Sequence, residues 1–236
     1  MRHSTRAAVL VLTVTFLLTG AAQAQAMPLQ TQRLTAKPKA HAVIMQVPAK
    51  EWARIQSTGT WRKGCPGGRT TFRRIEVNFH GFDKKVHRGA LIVNKDVASD
   101  VAKLMTTLFD QGFPIRRMHP IEDYRGDDNK SMKADNTSAM NCRKAGQSNA
   151  PAKDSPHANG RAIDINPWEN PWVDPRCGCF RPDHTYGTKR TGRGVITAKG
   201  AVVKAFRARG WIWRGTGKAP DFQHFDTGYP SRTPRR

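Results

Sequence analysis

Four residues in the C-terminal half of the chain could bind a metal ion and activate water. His157 and Asp164 lie seven positions apart, and Asp221 and His224 lie three positions apart. Zinc in hydrolases takes three protein ligands of histidine and carboxylate type and leaves a fourth position for water. His157, Asp164 and His224 supply that set, and Asp221 remains to act as the general base.

Other readings of these residues stay open on spacing alone. A histidine and an aspartate seven apart recur by chance, so each histidine could be an ordinary surface or core residue. The sequence contains no His-Glu-x-x-His helix motif, which excludes the common zincin arrangement. Ser155 could be imagined as a nucleophile, but neither Gly-x-Ser-x-Gly nor Ser-x-x-Lys surrounds it.

The elements predicted around these residues can bring them together. Asp164 falls on a short apolar strand, with Ile163 and Ile165 turned to the opposite, core face. Gly160 allows a tight reversal between His157 and that strand.

Asp221 and His224 pose a separate constraint. Residues three apart on one regular strand face opposite ways, so Asp221 must lie in the loop that enters the strand of His224. Pro220 is consistent with a loop at that point.

The rest of the chain indicates a mixture of strands and helices without regular alternation. Alternation over Ile75–Phe79 predicts a strand paired with Ala90–Val93, and an apolar stripe over Val97–Phe109 predicts a helix capped by Asn94 or Asp96. Further predictions are a short helix after Pro48, a helix capped by Thr197, closing strands at 211–213 and 222–225, and long irregular stretches at 119–156 and 166–196. We therefore predict a single α+β domain with a small mixed, mainly antiparallel sheet and helices packed on one side.

The N-terminus has the pattern of a secretory signal peptide. Two arginines precede an apolar run of about a dozen residues, too short for a membrane span, and small residues follow at Ala22 and Ala24. We predict a signal peptide over 1–24, a flexible leader over 25–48, a catalytic domain over 49–230 and a basic tail over 231–236. An uncleaved membrane anchor is the alternative for the first segment.

The formal charge of +22 points to an anionic partner. Nucleic acid is the usual partner of a basic protein, but the cationic residues are spread along the chain without a recognised binding module. An exported protein meets the anionic polymers of a cell envelope, so we expect retention there and no nucleic-acid binding. A solvated basic surface without a specific partner is the plainer alternative.

Four cysteines, an even number in a chain predicted to be exported, favour disulfide bonds over a zinc site. Three complete pairings are possible. A bond between Cys177 and Cys179, separated by one residue, would be strained.

The sequence around the four residues resembles a known family. Ser-x-His-x-x-Gly-x-Ala-x-Asp at 155–164, followed by Asp-x-x-His-Phe at 221–225, is similar to the signature of VanY-type zinc peptidases. That family comprises D-alanyl-D-alanine carboxypeptidases, dipeptidases and L-alanyl-D-glutamate endopeptidases. The resemblance covers roughly 49–230 and includes Gly64-Cys65-Pro66, Gly81-Phe82-Asp83, Asp135-Asn136-Thr137-Ser138-Ala139, Asn141-Cys142-Arg143 and Asp164-Ile165-Asn166-Pro167.

The resemblance implies roles for individual residues. It implies a hedgehog/DD-peptidase-like fold with His157, Asp164 and His224 as Zn²⁺ ligands and Asp221 as the base. It further implies that Arg143 polarises the scissile carbonyl or holds a substrate carboxylate, that Ser155 contacts substrate, that Trp213 walls the site, and that Cys65 pairs with Cys142. The loop 213–218 departs from the family's Trp-Gly-Gly-Asp-Trp pattern, which leaves the choice of substrate open.

We therefore expect a secreted, periplasmic or wall-associated monomer that hydrolyses a peptide bond in peptidoglycan stem peptides with zinc. It would have no membrane attachment after signal cleavage. A non-catalytic wall-binding protein that keeps the fold is the second hypothesis, and a basic nucleic-acid-binding protein is the third. Intact ligand and base positions count against the second.

Overall fold

The structure, a computed structural model, describes residues 37–143 and 154–232. From Pro38 onward these residues belong to one compact unit. The helices are α1 (Ala49–Ser57), α2 (Ala98–Asp110), α3 (Asp128–Lys133) and α4 (Ala201–Arg207). The strands are β1 (Val43–Gln46), β2 (Phe72–His80), β3 (Val86–Asn94), β4 (Arg117–Met118), β5 (Asn136–Thr137), β6 (Ala162–Asp164), β7 (Trp172–Asp174), β8 (Cys179–Arg181), β9 (Ile212–Trp213) and β10 (His224–Asp226). The predicted α+β class is confirmed. No helix among the described residues is long and apolar enough to cross a membrane.

The hairpin of β2 and β3 follows from the alternation of apolar and polar residues. Ile75, Val77 and Phe79 are buried along β2, and the residues between them are partly exposed. The strands pair antiparallel with Ile75 opposite Leu91. The turn over Gly81–Lys85 is closed by a backbone hydrogen bond from the first residue to the last, 2.7 Å long. One face of this hairpin therefore forms a wall of the main core.

Helix α2 packs its apolar stripe against β2 and ends at Asp110. Gly112 follows two residues later, where a positive φ of 67° suits glycine. The predicted cap at its start is wrong. Val97 occupies the N-cap position without a side-chain hydrogen bond. The side-chain amide of Asn94 instead donates to the backbone carbonyl of Asn159 over 3.0 Å. The carboxylate of Asp96 pairs with the guanidinium of Arg161. These two side chains tie the start of α2 to the loop that carries His157.

A second antiparallel sheet has the strand order β6-β10-β9. The inner faces of its strands join the same core, where Phe225 of β10 stacks on Phe206 of α4 with ring centroids 4.0 Å apart. Helix α4 begins after Gly200, so the predicted cap at Thr197 is wrong. The carbonyl of Thr197 accepts the Gly200 amide and closes a turn that precedes the helix. This packing supports the rear of β10, which carries His224.

The long stretches predicted to be irregular contain short elements. Residues 119–156 include α3, β5 and a 3-10 turn at Ile121–Tyr124, and β4 pairs in parallel with β5. Residues 166–196 include the hairpin of β7 and β8. Elements of two to six residues are too short to give a periodic pattern, which is why the sequence did not reveal them.

The predicted leader and tail lie only partly within the described residues. The signal peptide predicted for 1–24, the first half of the leader and the last four residues of the tail lie outside them. The end of the leader forms β1, which pairs antiparallel with β2, with Ile44 opposite Ile75. The leader prediction is therefore wrong over Val43–Gln46, where backbone pairing holds a strand whose side chains are mostly exposed.

Candidate metal centre

Strand pairing places Asp164 beside His224. The two residues lie directly opposite each other in the antiparallel pair of β6 and β10, so their side chains project from the same face. The Asp164 Oδ1 atom lies 2.8 Å from Nδ1 of His224. Ile163 and Ile165 are fully buried on the opposite face, as the sequence predicts. The register thus fixes two candidate ligands without help from any loop.

His157 reaches the same point from the loop before β6. Its Nε2 lies 3.2 Å from Asp164 Oδ2 and 3.1 Å from His224 Nδ1. The loop reverses at Gly160, where φ is 66° and a Cβ atom would lie 2.7 Å from the backbone nitrogen of Asn94. Only glycine fits this close approach without movement of the neighbouring backbone. Position 160 therefore requires glycine for two reasons, its positive φ and its contact with Asn94.

The outer nitrogen of each imidazole has an acceptor of its own. Nδ1 of His157 lies 2.6 Å from the carbonyl oxygen of Ala139, and Nε2 of His224 lies 3.1 Å from Oδ2 of Asp226. A carbonyl or carboxylate oxygen accepts, so the outer nitrogens carry the protons in the neutral rings. Both inner nitrogens then direct lone pairs at the cluster, as metal ligation requires.

The donor set and its dimensions fit zinc. The ligand atoms of His157, Asp164 and His224 lie within 4.8 Å of one another, and the shortest distances between them are 2.8–3.2 Å. Ligands about 2.0–2.2 Å from a tetrahedral zinc lie about 3.3–3.6 Å apart, so the ligand atoms need to separate by less than about 1 Å. Two nitrogens and a carboxylate also match the ligand types of catalytic zinc sites.

The electrostatics of the cluster favour an anionic carboxylate. Burial opposes charge on Asp164, but His157 and His224 hold its pKa well below its usual range. Burial likewise opposes charge on His224, yet Asp164 and Asp226 raise its pKa to about 10. A bound cation would replace the proton that these carboxylates stabilise.

Asp221 lies beside the cluster, in the loop before β10, as the sequence predicts. Its amide donates to the carbonyl of Arg214 over 3.0 Å, and it forms an isolated antiparallel bridge with Trp172. Its Oδ1 is buried and has no hydrogen-bond partner among the described residues. Burial raises the pKa of Asp221 to about 7, the charge of His224 opposing the shift and that of Asp164 adding to it. A carboxylate of this kind can exchange a proton near neutral pH.

Two further predicted residues lie on segments that contact His157. Arg143 follows the segment whose Asn141 amide donates to the His157 carbonyl, and its guanidinium pairs with Asp128 at 3.4 Å. Ser155 is buried, and its carbonyl accepts from the backbone and side chain of Asn159. Ser155 thus begins the turn that carries His157.

Trp213 lies in the main core and is only 5% exposed. Its Nε1 donates to the carbonyl of Phe222 over 2.9 Å, and its indole leaves no room for a Cβ atom at Gly215. Trp213 therefore supports the segment between Asp221 and His224 from behind, and does not present its ring as an open wall.

Asp226 and Arg214 are the residues that sequence reasoning missed. Asp226 holds the outer nitrogen of His224 and receives two bonds from Arg214. Burial opposes its charge, but these donors keep the pKa of Asp226 below its usual range. The period of two along a strand was the available signal, because it places Asp226 on the same face as His224.

A family model described as D-alanyl-D-alanine carboxypeptidase matches residues 148–227. The matched segment carries His157, Asp164, Asp221 and His224, and the match supports a relationship to peptidases. Neither the curated proteins nor the solved structures gave a significant match.

The described residues contain two disulfide bonds. Cys65 pairs with Cys142, as the resemblance implies, and packs with Ala158 beside His157. Cys177 also pairs with Cys179, although their spacing argued against it. The turn at Gly178, with φ of 63°, brings their Cα atoms to 5.2 Å, within the usual range for a disulfide.

Proposed function

We propose that this protein is a zinc-dependent peptidase that hydrolyses a peptide bond in peptidoglycan stem peptides. The observation that carries the proposal is the convergence of His157 Nε2, an Asp164 oxygen and His224 Nδ1 beside the buried carboxylate of Asp221. The family match over 148–227 supports the same conclusion.

Zinc, when bound by His157, Asp164 and His224, supplies Lewis-acid polarisation of the scissile carbonyl and lowers the pKa of water. Asp221 takes the proton of the attacking water on its carboxylate. The same carboxyl group then donates that proton to the nitrogen of the leaving amine. A pKa near 7 suits both halves of this exchange.

The remaining site residues act around this exchange. Arg143 stabilises the negative charge that develops on the carbonyl oxygen, or holds a carboxylate of the substrate. Asp128 keeps its guanidinium in place. Ser155, at the start of the turn that carries His157, contributes to substrate binding. Trp213 acts indirectly, through its hydrogen bond to the carbonyl of Phe222.

The proposed place of action is the cell envelope. Without the two arginines of the predicted signal peptide the exported chain keeps a formal charge of +20, which attracts it to anionic envelope polymers and so brings it to its substrate. The two disulfides are consistent with an oxidising compartment.

The test is hydrolysis of defined stem peptides by the zinc-loaded protein, with mass spectrometry of the products. Release of the terminal D-alanine would identify a carboxypeptidase, and cleavage within the stem would identify an endopeptidase. Asp221→Asn should keep its zinc and lose about 10²–10⁴-fold in turnover, because the proton exchange is lost.

Asp110→Asn is the matched control, since Asp110 is an exposed acid at the end of α2. It should leave turnover unchanged. Wild-type turnover by a zinc-loaded Asp221→Asn protein would exclude the role assigned to Asp221.

A further inference from the structure

Arg214, the residue after β9, contacts three parts of the site. Its guanidinium donates two bonds to Asp226, from Nε to Oδ2 at 2.5 Å and from Nη2 to Oδ1 at 2.8 Å. Its amide donates to the carbonyl of His224, and its carbonyl accepts the amide of Asp221, each over 3.0 Å. Arg214 therefore contacts the candidate ligand His224, the carboxylate of Asp226 that holds the outer nitrogen of that ligand, and the candidate base Asp221.

The carboxylate of Asp226 is fully engaged. Oδ2 also accepts from Nε2 of His224 at 3.1 Å, and Oδ1 also accepts from the amide of Gly228 at 2.6 Å. Asp226 is only 2% exposed. Its orientation is set by these four donors, of which Arg214 supplies two.

We propose that Arg214 is a positioning residue for the metal centre. Its planar fork orients Asp226, and Asp226 then fixes the His224 ring with Nδ1 turned toward His157 and Asp164. The inference rests on the zinc site of the proposed function. It concerns binding of the metal rather than the bond that is cut.

The geometry distinguishes this contact from an ordinary surface ion pair. Exposed ion pairs contribute little, and the Arg214 side chain is 39% exposed. Asp226, the partner of Arg214 in this pair, is buried and hydrogen-bonded to the candidate ligand His224. The pair therefore affects the orientation of that ligand. Lysine has a single ammonium group and cannot reproduce the two parallel bonds. Arg214 also belongs to the loop that departs from the Trp-Gly-Gly-Asp-Trp pattern of the family that the sequence resembles.

The experiment compares Arg214→Gln and Arg214→Lys with wild type in the full chain after removal of the signal peptide. Arg209→Gln is the matched control, because Arg209 is 32% exposed and pairs with Asp100 away from β10. Zinc affinity is measured by competition with a chromogenic chelator. Cobalt(II) is then substituted, and its ligand-field spectrum reports the geometry of the site.

Arg214→Gln should weaken zinc binding about 10–100-fold and change the cobalt spectrum, because the His224 ring loses its fixed orientation. Arg214→Lys should fall between this variant and wild type. Arg209→Gln should match wild type in both measurements. A purely structural role would lower the free energy of unfolding but leave the spectrum of the folded protein unchanged.

Wild-type zinc affinity and cobalt spectrum in folded Arg214→Gln would overturn the inference. If that variant does not fold, the same result in Arg214→Lys would overturn it. A wild-type protein that binds zinc but cleaves no stem peptide would contradict the proposed function alone. A wild-type protein that binds no zinc would overturn both.

Discussion

The two candidate histidine ligands present different ring nitrogens. His157 projects from a loop and turns Nε2 inward, while its Nδ1 reaches back to the nearby carbonyl of Ala139. His224 projects from β10 and turns Nδ1 inward, while its Nε2 reaches Asp226 two residues along the strand. The outer acceptor, a backbone carbonyl for His157 and a side-chain carboxylate for His224, decides which nitrogen is available to a metal.

Glu122 is a buried carboxyl group away from the metal centre. Its side chain is 1% exposed, and neither carboxylate oxygen has a hydrogen-bond partner among the described residues. Burial raises its pKa from 4.5 to about 8, with Glu51 and Asp123 adding to the shift and Arg54 opposing it. Between these pH values the folded protein holds a proton that the unfolded chain releases. The free energy of unfolding therefore falls as pH rises across the interval.

Glu122→Gln removes this titration while keeping the shape of the protonated acid. It should raise the free energy of unfolding by at least about 1 kcal/mol near pH 9 and change it little near pH 5. Urea unfolding at both pH values checks this. Glu76→Gln is the control, and its effect on the free energy of unfolding should have the opposite sign. The reason is that Arg74 lowers the pKa of Glu76, with burial opposing. Equal effects of Glu122→Gln at the two pH values would contradict the assignment.

At the scale of elements, the reversal at Gly160 positions His157. Gly160→Ala combines a positive φ with a Cβ atom 2.7 Å from the Asn94 nitrogen. Gly112→Ala is the matched control, because φ there is 67° but no atom lies within 4 Å of the added Cβ. Gly112→Ala should cost about 1 kcal/mol of stability, and Gly160→Ala at least about 1 kcal/mol more. Gly160→Ala should also weaken zinc binding.

Urea unfolding and zinc competition measure both effects. Equal costs for the two substitutions would mean that the close approach to Asn94 has no energetic weight. Unchanged zinc affinity in Gly160→Ala would mean that the loop does not position His157.

Elements with a repeating pattern could be predicted from the sequence, and those held by distant partners could not. Alternation gave β2 and β3, and the apolar stripe gave α2. The strand β1 depends on pairing with β2 rather than on its own side chains. Asn94 and Asp96 have the chemistry of helix caps, but their partners lie in the loop of His157 more than 60 positions along the chain. Local sequence does not report such contacts.

The residues of the candidate site also divide into those that the sequence could predict and those that it could not. Residue types and family resemblance identified His157, Asp164, Asp221 and His224, and strand alternation explained why Asp221 precedes β10. Asp226 follows from the period of two, once β10 is known. The fork of Arg214 could not be predicted, because it depends on the register of β9 and β10.

At the scale of the whole molecule, the Cys65–Cys142 bond joins segments 77 positions apart and packs beside the His157 loop. Replacing both cysteines by alanine should cost about 4 kcal/mol, because the unfolded chain regains the freedom of a long loop. The Cys177/Cys179 double alanine variant is the control and should cost about 1–2 kcal/mol, because its loop is short.

Urea unfolding of the two double variants gives the comparison. A smaller cost for the Cys65/Cys142 variant than for the Cys177/Cys179 variant would contradict the role of the long bridge in holding the molecule together.

The most direct test of the metal centre is anomalous diffraction at the zinc edge from crystals of the protein grown with zinc. We predict one strong peak about 2.0–2.2 Å from His157 Nε2, an Asp164 carboxylate oxygen and His224 Nδ1. Asp226 should remain on the outer nitrogen of His224. A peak elsewhere, ligation through His157 Nδ1 or His224 Nε2, or no peak at this cluster would contradict the account.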